Sequence, residues 1–220
     1  MNLGLLLCKI LLTHPEQADM GKRRVACIGD SITFGAGVFK TRDVDSWTVL
    51  WQKQMGDAFQ VLNYGVSGAT LQKEGDFPYQ KHGFMGRLKK ASPEMIVLML
   101  GTNDSKPYNW DKDRFAQEYE ELVSELVAFS WPHRTVLMVP PKAFPENKLE
   151  VIAFDINDSI IHDSIRPLII SLGEKYALPV IDLYELTENH PEYFDDGVHP
   201  NIPGNRAIAD CIFKTLETVQ

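Results

Sequence analysis

Short apolar runs alternate along this chain with longer stretches whose apolar residues recur at helical spacing. Residues 25–28 are uniformly apolar and run into Gly29, Asp30 and Ser31, which predicts a first buried strand ending in a small polar turn. Residues 46–55 predict a helix, with Ser46 as its cap and Trp47, Leu50, Trp51 and Gln54 at helical spacing. Residues 61–64 form a second strand that stops at Gly65, and residues 84–90 a short helix. Residues 95–100 are six apolar residues in a row, the signature of a strand buried on both faces. Residues 112–129 place Phe115, Tyr119, Leu122, Leu126 and Phe129 on one side of a helix. A fourth strand over 135–139 is closed by Pro140 and Pro141. Residues 155–172 predict a helix with Ile156, Ile160, Ile165, Leu168, Ile169 and Leu172 on its apolar face and Gly173 near its end. Residues 179–183 make a fifth strand, and a last helix starts at 201–203 and carries Ile208, Ile212, Phe213 and Leu216.

Strands alternating with helices imply a parallel sheet covered on both faces. The expected fold class is therefore α/β: a three-layer α/β/α, doubly wound, five-stranded parallel sheet in the flavodoxin-like order 2-1-3-4-5. No composition break, repeat or low-complexity tract divides residues 23–220, which read as one domain. The longest connections, 71–83, 104–111 and 140–154, are loops of the kind that carry specificity.

Residues 1–22 stand apart. Residues 3–12 are apolar except for Gly4, Cys8 and Lys9, and the run is far too short to span a membrane. Lys9 interrupts it, no basic region precedes it and no small-residue cleavage site follows. A helical arm packed on the domain or on a neighbouring copy, in a cytoplasmic protein, is favoured over a secretory signal; a secreted or periplasmic protein with a weak signal is the alternative. The arm also leaves room for a homo-oligomer.

Composition narrows the partners. The chain has 220 residues and a net charge of −8, which argues against nucleic acid or an anionic membrane surface as a main partner, since both reward a basic face. Cys8, Cys27 and Cys211 are scattered and odd in number, which disfavours a disulfide framework. None of the six histidines forms a metal-ligand pair. No metal and no cofactor are expected. Neither a phosphate-binding loop nor the G-x-S-x-G elbow of α/β-hydrolases occurs.

The informative pattern lies at the strand ends. Strand one ends in Gly29-Asp30-Ser31, strand two leads to Gly68, strand three ends in Gly101-Thr102-Asn103-Asp104, and Asp195, Asp196 and His199 follow strand five. Carboxyl ends of parallel strands share one rim of the sheet, so these residues can converge although they are far apart in sequence. Acyl transfer needs such a set: a serine nucleophile, an imidazole base that titrates near neutrality, a carboxylate to orient it, and fixed donors for the oxyanion. Each piece alone also fits a bland role. Gly68 suits any turn, Asn103 an Asx-turn, Asp104 a cap, and the 195–200 segment a polar surface turn.

Together these motifs resemble the SGNH hydrolases, also called GDSL-like esterases and lipases. Their G-D-S, glycine, G-x-N-D and D-x-x-H elements match Gly29-Asp30-Ser31, Gly68, Gly101-Thr102-Asn103-Asp104 and Asp196-Gly197-Val198-His199 in order. The resemblance implies Ser31 as nucleophile, His199 as base and Asp196 as its partner, with Gly68, Asn103 and the Ser31 N–H as the oxyanion hole. The segments around Ser31 and after Asp104 further resemble the carbohydrate-esterase branch, notably proteins similar to sialate O-acetylesterase. This implies a serine esterase that removes acetyl groups from carbohydrate through an acyl-enzyme, acting on a small-molecule or glycan ester. A lysophospholipase or thioesterase for longer chains and a non-catalytic sugar-binding module are the alternatives. Tyr108 and Trp110, aromatic residues in a polar loop, are candidate substrate walls, and Lys106 is a candidate contact for an acidic sugar.

Overall fold

The structure is a computed structural model and describes residues 21–147 and 154–217. The expectations for the 1–22 arm therefore lie almost wholly outside the described residues. Five parallel strands, β1 (Arg23–Gly29), β2 (Phe59–Gly65), β3 (Met95–Met99), β4 (Arg134–Val139) and β5 (Val180–Asp182), form one sheet in the order β2-β1-β3-β4-β5. The predicted order thus holds.

Alternation along each strand sends side chains to two separate cores. Ala26, Ile28, Ile96, Leu98, Leu137 and Val139 face one. Val25, Cys27, Val97, Met99, Val136, Met138 and Ile181 face the other. Helices α1 (Trp47–Met55) and α5 (Ile202–Glu217) close the second core through Trp47, Trp51, Ile208, Ile212 and Leu216. Helices α2 (Phe84–Ala91), α3 (Lys112–Val127) and α4 (Arg166–Tyr176) close the first, with Phe84, Leu88, Phe115, Tyr119, Leu126, Ile169 and Leu172 fully or almost fully buried. Burying one such side chain contributes roughly 1.5–3 kcal/mol, so both faces resist displacement and the strand ends are held on a rigid base.

Two local expectations are corrected. The helix expected over 155–172 starts late and is irregular: a turn Asp158–Ile160 passes through a π segment, Ile161–Ile165, before α4 begins. Pro167 sits in the first turn of α4 and has no N–H, and the widened spacing, with the Arg166 N–H on the Ile161 carbonyl, accommodates it. Gly173 does not end the helix, which runs to Tyr176 and is capped by Ala177 at φ 52°. Its glycine serves packing instead, because a Cβ there would lie 2.1 Å from Val180 Cγ2 on β5. Strand five is also shorter than expected, since Leu183 already begins a short helix, Leu183–Thr187.

Candidate active site

Ser31 follows β1 after one residue, Asp30. Asp30 accepts the Ile32 N–H through Oδ1 at 2.9 Å and so starts a one-turn helix, Ser31–Phe34. That cap places Ser31 at the first helical position, where its own N–H has no intrahelical acceptor. Ser31 is nearly buried, at 6% exposure. Asp30 is fully buried, and burial pushes its carboxyl above its ordinary range despite the Ile32 N–H, the Thr102 hydroxyl and the nearby His199.

His199 reaches Ser31 from the far end of the chain, with Nε2 2.9 Å from Ser31 Oγ. Its Nδ1 lies 2.7 Å from Asp196 Oδ2. The other carboxylate oxygen of Asp196 accepts two backbone N–H groups, Val198 at 2.9 Å and His199 at 2.7 Å. One carboxylate therefore fixes both the turn and the ring. Burial pushes Asp196 up, but the ring, its charge and the two N–H groups outweigh that and hold the carboxyl below its ordinary value. With Nδ1–H directed at Asp196, Nε2 is the acceptor for the Ser31 proton. Asp195, the alternative carboxylate, is instead bonded to Asn201 at 2.8 Å.

The donors come from two linked loops. Gly68 has φ +82°, a left-handed conformation that disfavours any side chain. An added Cβ would touch only Phe77, at 3.9 Å, so the backbone conformation rather than crowding by the protein calls for glycine. The Asn103 side-chain NH2 donates to the Ala69 carbonyl at 3.1 Å, which joins its amide to the Gly68 loop and leaves its second proton for another acceptor. Asp104, next in the chain, accepts the Leu71 and Gln72 N–H groups at 2.8 Å each. Burial pushes the Asp104 carboxyl up to about 7, against the pull of those N–H bonds and with the help of the neighbouring Asp30 charge. Asn109 extends the brace by donating to the Asn103 carbonyl at 3.0 Å.

Three further residues hold the set, and sequence reasoning missed all of them. Asn205 on α5 accepts the Trp47 N–H at 2.9 Å and donates to the Pro200 carbonyl at 2.6 Å, tying the residue after His199 to α1. Asn63 on β2 donates to the Thr33 carbonyl at 2.8 Å and steadies the turn that carries Ser31. Phe154 meets the His199 ring edge-on at 4.9 Å between centroids. Position relative to strand ends signals none of these, since each acts from a helix, a mid-strand site or a loop.

The substrate-wall candidates separate. Tyr108 is 62% exposed. Trp110 packs on Phe115 at 5.3 Å and is partly buried against the first core. Lys106 lies 3.6 Å from Asp76 with its side chain 13% exposed, so its charge already has a partner. Among the described residues no cluster of His, Cys, Asp or Glu is arranged to hold a metal ion, and no helix is long and apolar enough to cross a membrane.

The model of the GDSL-like Lipase/Acylhydrolase family matches residues 27–207. An acetylxylan esterase of Xylanibacter ruminicola is 34% identical over 213 residues, covering 88% of this chain and 43% of that protein. An O-acetyltransferase of Staphylococcus aureus is 41% identical over 56 residues, 24% of this chain and 9% of that one. The chain thus spans less than half the length of these curated relatives. Among solved structures, a carbohydrate acetylesterase from Sinorhizobium meliloti superposes with a TM-score of 0.74 at 18% identity, covering 90% of this chain and 100% of that one. An aryl esterase of M. smegmatis does so with a TM-score of 0.73 at 19% identity and the same coverage. At these identities the two superpositions speak for the fold.

Proposed function

Because the chain belongs to the GDSL-like lipase/acylhydrolase family, we propose that it is a serine esterase that hydrolyses acetyl esters on carbohydrate through an acyl-enzyme. The observation that carries this reading is the relay Asp196–His199–Ser31, with separations of 2.7 and 2.9 Å. Ser31 Oγ attacks the ester carbonyl carbon while His199 Nε2 takes its proton. The imidazolium that forms is stabilised by Asp196. The oxyanion is received by the Ser31 and Gly68 N–H groups and the Asn103 side-chain amide, each worth roughly 3 kcal/mol in the transition state. Collapse expels the sugar alkoxide, which leaves with the proton held by His199. Water, deprotonated by the same Nε2, then attacks the acetyl-Ser31 ester and releases acetate.

The carbohydrate part of the reading is supported by the acetylxylan esterase relative. The test is acetate release from acetylated glycans, combined with a p-nitrophenyl ester series of increasing chain length. Acetate is expected to be the best acyl group, and Ser31→Ala to lower kcat by several orders of magnitude while the protein stays folded. A preference for octanoate or longer refutes the acetylesterase reading, and near-normal turnover by Ser31→Ala refutes the nucleophile.

A further inference from the structure

One groove on the described surface takes no part in the proton relay but begins beside it. It is lined by Pro107, Tyr108, Pro145 and residues 155–159 and holds about 390 Å³, a size typical of small-ligand sites. Two contacts fix its position. Phe154 lies against the His199 ring, and the next residue, one Cα step of about 3.8 Å away, already lines the groove. The Asn157 N–H donates to Ser105 Oγ at 3.1 Å, two residues after Asn103, and so joins the wall to the loop that carries the oxyanion donor. Between Phe154 and Ile156 the chain passes through Asp155 at φ +55°, a left-handed conformation that Asp tolerates better than most residues. That turn lets neighbouring residues serve the imidazole and the groove.

The lining has a definite chemistry. Tyr108 offers an exposed aromatic face with a hydroxyl at its tip, and the prolines and Ile156 continue the apolar surface. Asn157 uses its side-chain oxygen on the Ile160 N–H, so its NH2 group is left to donate. Among the described residues, no cationic one lines the groove itself. Lys106, whose Nζ stands 5.9 Å from the Tyr108 ring centroid, is paired with Asp76, and Lys142 is paired with the lining residue Asp158 at 3.1 Å, so the unpaired charge on the described lining is the Asp155 carboxylate. Asp155 is exposed at the edge.

We propose that this groove holds the alcohol part of the ester and selects an uncharged sugar ring over a carboxylated one. This rests on the esterase reading, and the experiment keeps the two apart. kcat/KM is measured at low salt for O-acetylated xylo-oligosaccharide, O-acetylated sialic acid and p-nitrophenyl acetate. Binding of xylo-oligosaccharide to Ser31→Ala is followed in parallel by saturation-transfer NMR, which needs no turnover. The neutral glycan ester is expected to exceed the acidic one by about tenfold or more. Tyr108→Ala should lower the ratio of glycan ester to p-nitrophenyl acetate about tenfold, mainly through KM. Asp155→Asn, which keeps a residue tolerant of this backbone, should narrow the gap between neutral and acidic sugars several-fold. An acidic ester that performs as well as the neutral one overturns the charge selection. A ratio unaltered in Tyr108→Ala, or sugar binding to Ser31→Ala that ignores that substitution, overturns the groove. Tyr108-dependent sugar binding in a protein that hydrolyses no ester overturns the esterase reading alone.

Discussion

Replacing Asp196 by asparagine tests how the relay is wired. In the wild type, Oδ1 accepts the Val198 and His199 N–H groups and Oδ2 accepts Nδ1–H of the ring at 2.7 Å. The asparagine carbonyl can keep both backbone bonds, but its NH2 group then faces Nδ1. The ring answers by moving its proton to Nε2, the atom 2.9 Å from Ser31 Oγ. Nε2 becomes a donor and no longer accepts the serine proton. The expected loss in kcat is on the order of 10⁴, about 5.5 kcal/mol of transition-state stabilisation. Stability should change far less, because only the charge-assisted bond to the ring is exchanged. Asp196→Ala also strips both backbone N–H groups of their acceptor and should unfold about 3 kcal/mol more easily than Asp196→Asn. The assay is kcat on p-nitrophenyl acetate paired with urea unfolding. A kcat within tenfold of wild type, or equal destabilisation by the two substitutions, refutes the wiring. The acid side follows from the same carboxylate: its folded value is depressed, so its contribution is present above the ordinary value of 3.8 and is lost only as pH falls through a lower one.

Three further substitutions probe the frame. Gly68→Ala meets no protein atom closer than 3.9 Å, so it should fold at a cost of about 1–2 kcal/mol from the left-handed backbone while kcat drops about a hundredfold as the donor shifts; an unaltered kcat removes Gly68 from the oxyanion hole. Asp104 carries a folded value of about 7 against an ordinary 3.8, so its protonated form favours folding below pH 4 and that advantage, at most about 4 kcal/mol, is lost as pH rises through 7. The stability difference between wild type and Asp104→Asn should therefore shift against the wild type across this window in chemical unfolding, and a flat difference refutes the assignment. Asn205→Ala removes the bonds to the Trp47 N–H and the Pro200 carbonyl and should cost about 1–3 kcal/mol, with kcat lowered because His199 loses its downstream anchor; a stability loss with unchanged kcat refutes the positioning role.

The sheet was legible because β1, β3 and β4 each carry a run of four or more apolar residues, and burial on both faces leaves no other place for such a run. The parallel pairing followed from alternation with helices, the order from the doubly wound fold that five such strands fit, and the reacting residues from their place at strand ends. What escaped was whatever one residue does to another across space. The periodicity of 155–172 reads as unbroken helix because Ile156, Ile160 and Ile165 recur at helical spacing, yet Asp155 turns left-handed and Pro167 forces a π segment. Composition likewise cannot distinguish a free lysine from one held by Asp76, nor an available indole from one packed on Phe115.

Asp30 and Asp104 show where the two levels meet. Both follow a strand end and both look like caps, and both do hold backbone N–H groups. The structure adds that both are fully buried, which raises the cost of charge on each, and that the Asp30 charge adds to that cost at Asp104. Their bonds nevertheless set the two turns that matter: Asp30 the one that presents Ser31, Asp104 the one that follows Gly68. Apolar residues in their place would ease the burial of charge but leave three backbone N–H groups without acceptors, at about 1–3 kcal/mol each. The chain thus carries two costly carboxylates so that nucleophile and oxyanion donors are fixed before substrate arrives, which is what a site working by preorganised electrostatics needs.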